Sequence, residues 1–306
     1  MSRLRDAVIR PSGPIRMRLR KGLNKLRRVS VFQLINMTGL TLFAVFMALP
    51  IVFIINHAFK PINELFIFPP RFIVENPTMF NFQQLMLRTQ TLFVPFSRYL
   101  FNSLLTTTLT IIGVIFVSSL AAYTLSKLEF PGKRLFFSLT IISMMFAPET
   151  VNIPRFLVVS GLGLVDTYAV HILPLIAAPV SVFLLKQFTD QIPKELIEAA
   201  KIDGAQEFTI FLRIVMPLCM PAVMTVGILT FQASWGQSET STLFTQQDAM
   251  KTLPFYVETL TSGLANNVVG QGIAAAAGLM MFMPNLIIFL LFQRRVLSTM
   301  AHSGIK

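Results

Sequence analysis

Charge is scarce in this sequence. Only 13% of its 306 residues are Asp, Glu, Lys or Arg, and 54% are apolar; soluble domains carry about a quarter charged residues. That shortage excludes an ordinary water-soluble fold. Cysteine occurs once, so no internal disulfide can form, and Cys219 sits among apolar neighbours as inert packing. The three histidines, His57, His171 and His302, are too scattered to indicate a metal site. No phosphate-binding loop G-x(4)-G-K-[ST] is present, because Gly132-Lys133 lacks both the earlier glycine and the following Ser or Thr. No Ser/His/Asp arrangement can be argued from spacing. The net charge of +12 does not imply nucleic acid: ten of the 26 basic residues crowd into Arg3–Arg28, without interleaved aromatics or a recognisable nucleic-acid motif. Met1–Ser30 also lacks the apolar core of a cleavable signal.

Long apolar runs are abundant. A spanning helix needs about 20 mostly apolar residues, and six candidates are found: Leu34–Asn56, Tyr99–Ser126, a run from Leu135, Thr167–Phe188, Leu218–Trp235 and Gly270–Phe292. The third is expected to break at Pro148-Glu149 and Pro154-Arg155, with Phe156–Leu164 as a short outer helix. Pro174 and Pro179 are expected to kink the fourth. With both termini in the cytoplasm, twenty basic residues fall inside. Six fall outside: Lys60, Arg71, Arg88, Arg98, Arg155 and Lys251. The positive-inside rule favours that orientation.

One hydrophilic island interrupts the apolar chain between the fourth and fifth spans, Glu198–Pro217. Pro193 suits a first helical turn, and Lys194–Ile202 uses good helix formers. Gly204 can take the left-handed conformation that ends a helix. Phe208, Phe211, Leu212 and Val215 then fall on one apolar face of a second helix, which Asp203 is placed to cap. Two short helices around a glycine bend are expected.

These residues resemble the EAA loop of membrane subunits of ATP-binding-cassette (ABC) importers: Glu198-Ala199-Ala200, Gly204, Ile214 and Met216-Pro217, with Met216 in place of leucine. Phe101-Asn102-Ser103, Ala121-Ala122-Tyr123, Phe130-Pro131-Gly132, Gly163-Leu164-Val165-Asp166-Thr167 and Lys251-Thr252-Leu253-Pro254 extend the resemblance over roughly residues 95–300, nearest to the maltose-permease type of carbohydrate importer. It implies an all-α integral membrane protein with six transmembrane helices of the type I importer permease fold and a cytoplasmic coupling helix. The segments are then 1–33, a basic cytoplasmic N-terminus; 34–98, the first helix and an extracytoplasmic loop; 99–300, the transmembrane domain with its coupling loop at 190–217; and 301–306, a cytoplasmic tail. The implied setting is a bacterial or archaeal cytoplasmic membrane, spanned several times.

The resemblance further implies a permease subunit of a solute-binding-protein-dependent importer of a sugar or oligosaccharide. The chain forms half the pathway and has no ATPase site of its own. Its partners would be a cytoplasmic ABC ATPase dimer holding ATP and magnesium, a second related permease, an extracytoplasmic binding protein and membrane lipid. Glu198, Ala199, Ala200, Asp203, Gly204, Ile214 and Pro217 would couple to the ATPase, whose closure would turn the third to fifth spans as a rigid body. Asn102, Glu149, His171, Gln232, Trp235 and Asn285 are the candidates for the substrate path, since polar groups inside a membrane face cavities or partner helices. The same polar residues serve equally to pin spans together. An importer of another small solute (a glycerol-phosphate, a polyamine), a secondary carrier without an ATPase, and a membrane scaffold or receptor are the competing readings. The spans hold few basic groups for an anionic cargo and no clear inverted repeat or buried carboxylates for a carrier.

Overall fold

A computed structural model describes residues 30–67, 69, 71–90, 94–264 and 268–303. Most of the basic N-terminal segment (residues 1–29) and the last three residues of the tail lie outside that set. The chain divides into two units, Met1–Phe53 and Ile54–Lys306. The described residues form helices and contain no strand.

The helices follow from the apolar runs. Helix α1, Val31–Phe59, continues through Pro50 and is apolar on all sides. Val31, Leu42 and Phe46 are each exposed by 65% or more, which only a hydrocarbon surrounding makes favourable. A short α2, Ile62–Leu65, and α3, Phe80–Gln90, follow. Helix α4, Phe96–Lys127, is the axis of the second unit. Its Thr106, Thr110, Val114, Ser118 and Ala122 recur every fourth residue and are all buried, a small-residue stripe that lets neighbouring backbones approach closely.

Helices α5, Lys133–Ser143, and α6, Pro148–Gly161, are separated by four residues. The expected break at Pro148 is there, but Pro154 lies inside α6, and Phe156–Leu164 is not a separate helix. The bond that Pro154 forfeits would have gone to the carbonyl of Thr150 in the first turn, and the helix tolerates the loss. The fourth run is a 3-10 turn at Tyr168–His171, α7 at Leu173–Ile176 and α8 at Pro179–Asp190. The two halves meet at 45°. Pro179 opens α8 and holds Ala178 out of helical geometry.

Two short helices precede the next crossing: α9, Lys194–Ile202, and α10, Glu207–Leu218. Helix α11, Met220–Trp235, leaves α10 at 80°. The turn is at Cys219, two residues beyond Pro217. Helices α12, Glu239–Phe244, α13, Leu253–Leu264, and α14, Val268–Ser303, complete the chain.

Among the described residues, α1, α4 and α14 are each long and apolar enough to cross a membrane, and the number reaches five if each bent pair is counted as one crossing. The remaining expected crossing corresponds to α5 and α6. At 11 and 14 residues neither reaches the bilayer thickness alone.

The candidate coupling elbow

The elbow is α9, the bend at Gly204 and α10. Gly204 has φ +81. Its N–H donates to the carbonyl of Lys201 at 3.0 Å, and the N–H of Ala205 donates to the carbonyl of Ala200 at 2.9 Å. This pair of bonds is a Schellman ending, which satisfies the last carbonyls of α9 and needs a left-handed residue at this position. Gln206, not Asp203, occupies the N-cap of α10, and it makes no side-chain cap bond. Asp203 is instead the C-cap of α9. The Schellman turn adds residues between the two helices and moves the cap position along the chain.

The elbow has an inner and an outer side. Ile197, Ile210, Phe211 and Val215 are buried in one core with Val114, Ala122 and Tyr123 of α4, Leu185 of α8, and Ala222 and Val226 of α11. Ala200, Ala205, Ile214 and Met216 pack partly against it. The apolar face is rotated from the expected one. Phe211 and Val215 are buried, but Phe208 and Leu212 are 56% and 48% exposed. A π turn over Phe211–Val215 explains the rotation, because its wider spacing moves the buried stripe around the axis. On the outer side lie Glu198, Ala199, Asp203, Gly204 and Pro217, together with Leu196, Phe208 and Ile202, the last 86% exposed. Contiguous exposed apolar groups beside charges mark an interaction face. Among the described residues Glu198 has no ion pair within the chain.

The elbow is fastened to the inner end of α4. Lys127 Nζ donates to the carbonyl of Ile192 at 2.5 Å and to that of Asp190 at 3.5 Å. Ser126 donates to the Asp190 carboxylate at 2.5 Å, and Lys186 pairs with its other oxygen at 2.6 Å. At the second arm, Tyr123 donates to Glu207 Oε2 at 2.5 Å while Lys201 pairs with Oε1 at 2.5 Å. The hydrogen bonds from Lys201 and Tyr123 outweigh desolvation and hold the Glu207 carboxyl below the usual carboxylate range.

The substrate-path candidates fall into two groups, with Glu149 apart and exposed at the start of α6. At the outer junction, the Asn102 amide donates to the carbonyls of Ala249 and Lys251 at 2.9 and 2.8 Å, and its oxygen accepts from Tyr168 at 2.9 Å. His171, 3% exposed, meets Thr240 at 2.8 Å and Thr245 at 3.4 Å through its two ring nitrogens. Both side chains are thus spent on holding α4, the 3-10 turn and the 240–251 segment together. At the α11–α14 seam, Trp235 is 2% exposed, stacks on Phe231 at 5.5 Å and donates from Nε1 to the carbonyl of Met281 at 3.1 Å. It leaves no open face for a sugar ring. Gln232 is exposed one turn earlier on α11, and Asn285 Oδ1 is enclosed without a hydrogen-bond partner on α14.

Sequence reasoning missed Ile202, Tyr123 and Glu207. An isoleucine ending a polar helix was a readable signal for the first; the other two meet only through the fold. It also missed Asp166, a non-glycine residue at φ +58 whose carboxylate accepts from the N–H groups of Gln246 and Gln247 at 2.5 and 3.1 Å. Those two bonds offset the cost of the left-handed backbone.

Known proteins resemble this chain in sequence and in fold. Residues 115–297 match the family model described as the inner membrane component of binding-protein-dependent transport systems. The arabinooligosaccharide transport permease AraQ of Bacillus subtilis is 34% identical over 209 residues, 68% of this chain and 73% of that protein. The trehalose permease SugB of Mycobacterium tuberculosis is 32% identical over 213 residues, 69% and 77% of the two chains. A crystal structure of a bacterial ABC transporter that imports the acidic polysaccharide alginate aligns at TM-score 0.73 and 20% identity, over 86% of this chain and 96% of that one, a likeness of fold. The elbow, the bent crossings and the family match lead to one conclusion: this chain is a multi-pass membrane protein belonging to the inner-membrane component family of binding-protein-dependent transport systems.

Proposed function

We propose that this chain is a permease subunit of an ATP-driven importer for a neutral sugar or oligosaccharide. The observation that carries this reading is the two-sided elbow. Its inner side packs against three membrane helices, and its outer side offers apolar groups and a carboxylate with no ion pair among the described residues. The partner is a separate cytoplasmic ABC ATPase dimer, which supplies ATP and magnesium. Glu198, Ala199, Asp203 and Gly204 form the docking surface, with Ala200 packed against the core behind them and Ile214 and Pro217 shaping the exit into α11. A second, related permease completes the pathway, and a solute-binding protein delivers cargo from outside. Both termini lie in the cytoplasm. The cargo class rests on the relatives, which include permeases for arabinooligosaccharides and trehalose. Gln232 and Asn285 are the pathway residues the geometry leaves available, as is Glu149 at the mouth of α6.

Purification in mild detergent tests this reading. A nucleotide-hydrolysing subunit that copurifies, and that is released by ATP-site-independent disruption of the elbow, supports it. A chain that purifies alone and catalyses ion-gradient-driven uptake contradicts it.

A further inference from the structure

We propose that Tyr123 and Glu207 form a strut that carries movement of the elbow into α4; this rests on the coupling role proposed above. Glu207 is a meeting point of three elements. Its Oε2 accepts from Tyr123 of α4, its Oε1 pairs with Lys201 at the end of α9, and its backbone opens α10. The Lys201–Glu207 pair therefore reaches across the Gly204 bend, and the Tyr123 bond fixes the bridged bend to a membrane helix.

The position suits the task. Lys127 and Ser126 already hold the entrance of the elbow through Asp190 and Ile192. Tyr123 adds a point on the far arm, about one helical turn away along α4. A body held at points on both sides of its bend cannot fold about that bend without breaking one of them. Tyr123 is 4% exposed, and its ring packs 5.6 Å from that of Phe211. The hydroxyl is thus aimed by packing and cannot swing to solvent. An elbow without the strut retains its apolar core but can rotate about Gly204, so a push from the ATPase is absorbed in the bend. Tyr123 and Glu207 are positioning residues: they act on transport through the geometry of the elbow.

The test uses the assembled complex with its ATPase in lipid nanodiscs. Spin labels go at Leu212→Cys on the second arm of the elbow, 48% exposed and not among the docking residues, and at Val117→Cys on α4, 43% exposed; Cys219, 3% exposed, stays unlabelled. Wild type is expected to give one narrow interlabel distance, unchanged between the nucleotide-free and ATP–vanadate-trapped states. Tyr123→Phe keeps the ring and its packing but loses the hydroxyl. It is expected to broaden the distribution and to shift it on trapping by the about 1–2 Å typical of helix displacements. Glu207→Ala should do the same, and Glu207→Gln, whose single carbonyl oxygen can still accept from Tyr123 but whose NH2 cannot pair with Lys201, should narrow the distribution only in part. A residue that merely stabilised the fold would lower the yield of complex and leave the distance in the surviving complex unchanged. Identical distributions for wild type and Tyr123→Phe, with the ATPase bound, overturn the strut and leave the coupling role standing. Failure of the wild-type chain to retain an ATPase overturns both.

Discussion

Gly204 and Gly163 offer a matched pair of substitutions that separates folding from coupling. Both have positive φ, +81 and +67, and a Cβ added at either would meet no atom within 4 Å. The penalty for a side chain is therefore backbone strain alone, about 1–2 kcal/mol for a left-handed L-residue. Aspartate sits at the low end, since it is enriched in that region. Against a typical stability of about 5–15 kcal/mol, neither Gly204→Asp nor Gly163→Asp should prevent insertion or folding. The two sites differ in what they face. Gly204 is on the outer side of the elbow; Gly163 lies in the loop after α6, remote in sequence from it. The assay is membrane content of each variant by immunoblot, retention of the ATPase in mild detergent, and ATP-driven uptake. Gly204→Asp is expected to reach the membrane normally and to lose ATPase retention and uptake. Gly163→Asp is expected to keep the ATPase. Equal behaviour of the two variants, or full uptake with Gly204→Asp, refutes the reasoning.

Glu198→Ala removes an exposed carboxylate with no ion pair among the described residues, so thermal stability should not change. ATPase affinity should fall by no more than about 1 kcal/mol, measured by titration of the solubilised subunits. A Cβ at Gly272 would lie 2.7 Å from Asn81 Oδ1, and Asn81 ties down the carbonyls of Ala58 and Lys60 at the end of α1. Gly272→Ala should therefore destabilise by about 1–3 kcal/mol and lower the thermal unfolding temperature. Gly113→Ala meets Ile176 Cδ1 at the same 2.7 Å and Cγ1 at 3.0 Å, an apolar side chain that can shift without breaking a hydrogen bond, and should cost less; the reverse order would contradict the packing. Trp235→Phe keeps a ring against Phe231 but loses the hydrogen bond and leaves a cavity where the larger indole is buried, so it should destabilise by more than the about 1 kcal/mol of the bond alone, with cargo affinity unchanged in a binding assay. For Glu207 the folded carboxyl titrates below its ordinary value. Its contribution to holding the elbow is thus present above the unfolded value, about 4.3, and lost as pH falls through the lower folded one. The hydrogen-exchange protection of residues 205–215, taken relative to the intrinsic exchange rate at each pH, should hold from neutrality to mild acid and fall only below that range.

Much of this architecture was legible because a bilayer imposes a simple demand. Every crossing must satisfy its own backbone, so apolar length betrays it. The elbow was legible for a different reason: its glycine, its proline start and its polar composition are local signals. The fate of individual polar side chains was not. Asn102, His171 and Trp235 have the chemistry of a sugar site, and in the fold each makes hydrogen bonds at an internal junction. Spacing along one helix cannot say whether an amide will face a cavity or a neighbouring carbonyl. The π turn at Phe211–Val215 likewise rotates a face that regular helical spacing assigns differently. Pro154 illustrates the limit of breaker residues, because tolerance depends on where in the helix the lost bond falls.

The orientation of the elbow is the point on which coupling depends. Ile202, 86% exposed, can carry a single reactive cysteine. In intact cells, a membrane-impermeant maleimide should leave Ile202→Cys unlabelled; in inverted membrane vesicles from cells without the ATPase it should label it fully. Labelling from outside intact cells would place the elbow on the wrong side of the membrane for any cytoplasmic motor.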